Sequence, residues 1–320
     1  MNIFFFILEH NIAPVFILIA LGYIVSRKFD LNIFTMSKLN FYLFVPAFIF
    51  VNLYTADLNL GMLKIVLYSI VYLVVCDVLA RVVSRIRKCD TGMENAFKNS
   101  IMFNNTGNIG LSLITLVFSS GRYVVNGKTP YLDQAVVTLI AILVFMNITI
   151  NTIGLFNAGR ASMDIKKSLA KIFMMPSIYI IPITLILRQI NFDMKATFVW
   201  PALVYLKDGL VPIALLTLGV QLSKTKIDFR NLNVLISVFT RLVIGPVLAI
   251  LFIWVFRFTG VVAQTVLIAY SVPTAVNTAL LSVECDNNKE FATQAVVVST
   301  VLSAVTLTIV IYLAGIIFPI

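Results

Sequence analysis

Two apolar stretches of this chain, one in each half, are interrupted by polar or helix-breaking residues. The first break reads Asn104-Asn105-Thr106-Gly107-Asn108, and the second Ser271-Val272-Pro273-Thr274-Ala275-Val276-Asn277. In hydrocarbon a freed backbone amide costs several kcal/mol, so an unwound segment survives only where it packs on protein or lines a cavity. Paired breaks therefore predict two discontinuous helices whose ends meet around a shared site.

The surroundings of the breaks place the chain in a membrane. Of 320 residues, 60% are hydrophobic and only 12% charged, with a mean hydropathy of +1.00. A soluble domain carries about 25% charged residues and has no means of hiding so much apolar surface. A crossing helix needs roughly 20 mostly apolar residues, and ten such segments are expected: 3–26, 33–54, 62–84, 95–119, 131–154, 172–190, 201–222, 234–256, 261–282 and 291–317. The expected class is an all-α, multi-pass membrane protein. The first segment lacks a basic start and runs into Arg27-Lys28, so it reads as a permanent span rather than a cleaved signal.

The net charge of +10 belongs to the connections. With both termini outside, fourteen of the 24 Lys and Arg fall on the cytoplasmic side and seven outside, leaving Lys38, Lys98 and Arg241 within or at the edges of spans. That bias sets orientation. No soluble module remains to carry a basic face, which argues against nucleic acid as a partner. Cys76, Cys89 and Cys285 are scattered, His10 has no second His or Cys nearby, and neither a disulfide framework nor a metal site is expected.

Proline spacing indicates an internal repeat. Pro14 and Pro176 open the first and sixth spans, and Pro46 and Pro212 lie in the second and seventh. Pro14 to Pro46 is 32 residues and Pro176 to Pro212 is 36; Pro46 to Asn105 is 59 and Pro212 to Pro273 is 61. Five spans per copy would force the second copy to enter the membrane upside down. The expected organisation is a 5+5 inverted repeat, residues 1–156 and 172–320, hinged in the basic stretch from Asn157 to Lys171.

The runs Leu39-Asn40-Phe41-Tyr42-Leu43-Phe44-Val45-Pro46-Ala47, Asn105-Thr106-Gly107-Asn108-Ile109-Gly110 and Val272-Pro273-Thr274-Ala275-Val276-Asn277 resemble the auxin efflux carrier family, in order and over the whole chain. The resemblance implies a ten-helix fold like that of bile-acid sodium symporters, with crossing helices four and nine. In it, helices 1, 2, 6 and 7 form a scaffold, helices 3–5 and 8–10 a moving transport domain, and the protein is a homodimer in the plasma membrane. It implies a secondary carrier of a small organic anion, with proton or sodium coupling possible and no cofactor. The alternatives are a sodium-coupled symporter of bile-acid-like or other organic solutes, or a receptor or channel. The long cytoplasmic loop of the plant members is absent.

Each helix N-terminus behaves as roughly half a positive charge and each C-terminus as half a negative one, so crossed breaks suit either sign of ligand. The breaks hold neutral donors and no acid, which tips the expectation toward a carboxylate. Asn105 and Pro273 match the family's crossover asparagine and proline; Asn104, Thr106, Asn108, Thr274 and Asn277 complete the expected substrate-binding set. Asp77, with Arg81 one turn later, is the coupling candidate, because an ionisable group inside an apolar run is expensive unless it has a role. Arg241 and Lys98 are expected to supply positive potential or to anchor span ends. No HExxH, GxSxG, phosphate-binding loop or paired intramembrane aspartates are present, so an enzyme is not expected.

Overall fold

The computed structural model describes residues 3–55, 61–159, 176–190, 193–225 and 230–320. These form helices α1 (Ile3–Lys28), α2 (Ile33–Thr55), α3 (Gly61–Ile86), α4 (Thr91–Met102), α5 (Thr106–Phe118), α6 (Leu132–Gly159), α7 (Pro176–Leu187), α8 (Val199–Ser223), α9 (Leu232–Val255), α10 (Gly260–Ser271), α11 (Val276–Glu284) and α12 (Lys289–Ile317). Among the described residues, seven helices are long and apolar enough to cross a membrane, and α5 and α10 are shorter apolar helices. The segments expected at 95–119 and 261–282 are each divided in two, α4 with α5 and α10 with α11, at the breaks read from the sequence. α4 begins earlier than hydropathy suggests because Asp90 caps it, its side chain accepting from the Met93 amide. The expected hinge lies, from residue 160 onward, outside the described residues.

Three prolines follow a single wide turn. Pro14, Pro46 and Pro246 come just after the π segments Leu8–Ile12, Asn40–Phe44 and Thr240–Ile244. A proline has no N–H, and its ring crowds the carbonyl four residues back. The residue before each proline (Ala13, Val45, Gly245) donates instead to the carbonyl five residues back, at Leu8, Asn40 and Thr240. Such a bulge shifts the side chains of its own turn, a device common at functional positions. Asn40 and Arg241 both lie in these turns and both are buried.

The helices pack in two groups. α1, α2, α7 and α8 lie against one another, with α1 along α8 the most extensive pairing; α3 to α6 and α9 to α12 form the other group. α3 shows what each face meets. Tyr68, Tyr72, Cys76 and Ala80 are buried, with the Tyr72 and Tyr270 ring centroids 4.4 Å apart. The opposite stripe of Leu63, Leu67, Ile70, Val74, Val78 and Val82 is exposed and wholly apolar, a surface suited to lipid and not to water.

The α1–α8 contact rests on two glycines. A Cβ added to Gly219 would overlap the Ile19 carbonyl oxygen, and one on Gly22 would overlap that of Leu216. Small residues at such an interface let backbones approach closely enough for dispersion to hold helices together in lipid. Gly219→Val should lower the apparent melting temperature of the detergent-purified protein, with overpacking costing about 1–3 kcal/mol. An unchanged melting temperature would mean that the two helices do not meet there.

Candidate functional site

The two breaks are each other's backbone partner. Asn104 and Thr274 form an antiparallel bridge, flanked by the Asn105 amide donating to the Pro273 carbonyl at 2.8 Å and the Ala275 amide donating to the Phe103 carbonyl at 3.0 Å. The site residues around Asn105 and Pro273, far apart in sequence, are thereby brought together.

Side chains at the bridge reach back to the preceding helix of the opposite break. Asn104 Nδ2 donates to the Ala269 carbonyl of α10 at 2.8 Å, while Thr274 Oγ1 donates to the Ser100 carbonyl of α4 at 2.9 Å. Thr106 Oγ1 donates to Asn104 Oδ1 at 2.8 Å, and Ser299 Oγ of α12 receives the Thr274 amide at 3.2 Å. Arg241 reaches the same ends from α9, donating to the carbonyls of Ile101, Tyr270 and Val272 at 2.9, 2.9 and 3.1 Å. The C-terminal sides of both breaks are thus filled with donors. Arg241, expected near a span end, is 1% exposed.

The N-terminal sides are left open. Neither α5 nor α11 has a side-chain cap, the residues before them being Asn105 and Ala275. The first amides of a helix lack the regular partner one turn back; that of Thr106 turns to the Asn104 carbonyl at 2.9 Å and that of Thr278 to the Ala275 carbonyl at 3.1 Å, and no side chain caps the others. Both helix starts border one cavity of about 30 Å³, lined by both breaks together with Phe41 of α2 and Leu143, Met146, Asn147 and Ile150 of α6. That is the room of about one water. Asn105 is 5% exposed, and its Nδ2 has no hydrogen-bond partner. A buried donor without an acceptor costs about 1–3 kcal/mol. Asn277 also lines the cavity, partly buried.

The expected residues therefore divide. Asn104, Thr106 and Thr274 have their side chains engaged in the crossing, and Pro273 contributes its carbonyl to it; Asn105 and Asn277 line the cavity, as do the already bonded Asn104 and Thr106. Asn108 lies between, its Oδ1 accepting from Asn40 Nδ2 at 3.2 Å across the two packing groups, while Asn40 Oδ1 is left without a partner. Asn40 and Phe41, noted in the sequence only within a motif, and Asn147 were not expected as site residues. Asn147 had the available signal: an amide inside the apolar run of α6.

Asp77 and Arg81 do pair, Arg81 Nε to Asp77 Oδ2 at 2.7 Å, but neither lines the cavity, and the Arg81 side chain is half-exposed. Glu94 lies within the field of Arg81 and itself pairs with the buried Lys98 at 2.8 Å, so these four charges alternate in sign along α3 and α4. His10 stacks on Phe6, with ring centroids 4.3 Å apart.

Residues 7–311 match the model of the family described as membrane transport protein. The chain is also 22% identical, over 306 residues, to an uncharacterized transporter of Methanothermobacter thermautotrophicus, covering 93% of this chain and 95% of that protein. With nearly its whole length matched, the chain belongs to the membrane transport protein family, that of the auxin efflux carriers its motifs resemble.

Proposed function

We propose that this membrane transporter is a secondary carrier of a small organic anion, whose carboxylate binds at the N-terminal ends of α5 and α11. The observation that carries the reading is the pair of uncapped helix N-termini on one cavity, with the unpartnered Nδ2 of Asn105 beside them. Two such ends together act as about one positive charge, and a carboxylate supplies acceptors where no side chain caps the helix. Asn277, and Asn147 opposite, can orient the rest of the anion without the expense of a fixed buried charge.

In this reading α4 with α5 is the fourth span and α10 with α11 the ninth, in a ten-span 5+5 inverted repeat. α1, α2, α7 and α8 are the scaffold, and the second packing group is the transport domain, moving in a homodimer in the plasma membrane. The grouping of the contacts and the placement of the cavity between the groups support it. A cavity of about 30 Å³ has to widen to admit an organic acid, as alternating access requires.

A thermal-shift screen of the purified protein against dicarboxylates and aromatic acids tests the reading, since a ligand of the native state raises apparent stability by mass action. Removing a hydrogen bond to a charged group costs about 1.5–3 kcal/mol, so Asn105→Ala should weaken the binding of an acid found in the screen roughly ten- to a hundredfold. Its own melting temperature should hold, because the lost amide bonds nothing in the protein. Asn277→Ala should weaken binding more modestly. Parent-like affinity in both variants would remove the site from the crossing, and a cationic ligand would reverse the assignment.

Orientation has its own check. Both termini are placed outside and residue 166 inside, so a cysteine introduced at 166 should resist an impermeant thiol reagent on intact cells while one near either terminus reacts. The opposite pattern refutes the orientation. Asp77 is proposed as the proton-responsive group, and Asp77→Asn should leave the protein folded while changing the pH profile of transport. Superimposable profiles would make the Asp77–Arg81 pair purely structural.

A further inference from the structure

An anion at the N-terminal ends leaves the opposite ends of the same breaks to be explained. The C-termini of α4 and α10 each carry roughly half a negative charge, about one in total. In carriers built on discontinuous helices, such ends and their unwound carbonyls are where a coupling cation binds. Here that place is taken. The Arg241 guanidinium spreads its three kinds of donor nitrogen over Ile101 at the end of α4 and over Tyr270 and Val272 at the end of α10. Among the described residues no carboxylate pairs with it. A buried charge without a counter-ion is expensive, so the helix ends themselves must serve as its counter-charge.

We infer that Arg241 is the resident cation of the crossing, filling the position a sodium ion would need, so that the carrier binds its anion without sodium there. The inference rests on the anion reading for its consequence, but the position of the guanidinium is judged separately. A planar fork of donors matches three carbonyls belonging to two helix ends, a geometry that a lysine ammonium does not reproduce. As a positioning residue, Arg241 touches no part of the cavity; it holds α4, α9 and α10 together behind it.

Thermal unfolding of the purified protein provides the test. The wild type should melt at the same temperature in sodium chloride as in choline chloride of equal concentration. Arg241→Ala should melt lower, and millimolar guanidinium should raise its melting temperature by several degrees where urea, of the same planar shape but neutral, does not. A purely packing role would respond to neither or to both alike, and either of those results overturns the inference. Specific stabilisation of the wild type by sodium overturns it as well, and that measurement decides the question even if the alanine variant cannot be purified. Failure of every acid to shift the wild type would sink the anion reading alone, because the contrast between guanidinium and urea does not depend on the substrate.

Discussion

The amides of Asn105 and Ala275 would each be costly in hydrocarbon without an acceptor, and each finds one on the other break, at Pro273 and Phe103. The exchange permits two helices to stop in mid-bundle. Neither break could exist alone, since the partner that satisfies it is the other break. The antiparallel bridge sets the end of each break against the start of the other, with Arg241 bonded to the ends of α4 and α10 on one side and the cavity at the starts of α5 and α11 on the other.

The two sides are chemically unlike. On the C-terminal side Arg241, Asn104 and Thr274 bring donors to carbonyls, so that side is complete without a ligand. On the N-terminal side the amides have no side-chain caps, and Asn105 adds a further donor with nothing to accept it. A native structure rarely leaves a buried donor unpaired, and where it does the group is available to something else. The polarity of the site therefore follows from which ends the protein has already satisfied rather than from any charged residue lining the cavity.

Much of this was legible in the residues. The apolar segments mark the helices, and the two polar interruptions mark the discontinuities, because hydropathy and helix-breaking residues act locally. The division of labour among the asparagines was not. Asn104 and Asn105 are adjacent and identical in type, yet one is consumed by Ala269 and Thr106 while the other faces the cavity. Only the direction of each side chain across the bridge separates them, and that depends on pairing between residues about 170 positions apart. Arg241 was obscure for a related reason: a guanidinium read as a possible span-end anchor shows no local partner in the sequence, and its acceptors are carbonyls freed by breaks elsewhere. Asn40 is hidden differently, since the π turn before Pro46 sets its direction and an α-helical register would misplace it.

The same inventory of bonds bears on how the narrow cavity could widen. Pulling the two breaks apart would sacrifice both backbone bonds of the bridge, the Asn104 and Thr274 contacts and the hold of Arg241 on α4 and α10. Each loss would leave a buried polar group unpaired at about 1–3 kcal/mol. Separating Phe41 on α2 from the breaks instead crosses one side-chain bond at the cavity, Asn40 to Asn108, and sliding of the wider groups adds those of Asn11 on α1 to Leu116 and Ser120. The less costly opening keeps the crossing intact and moves it as a body against α2. Access to the cavity then becomes a matter of sliding between helix groups, and the donors that line it keep their geometry throughout, as preorganised recognition requires.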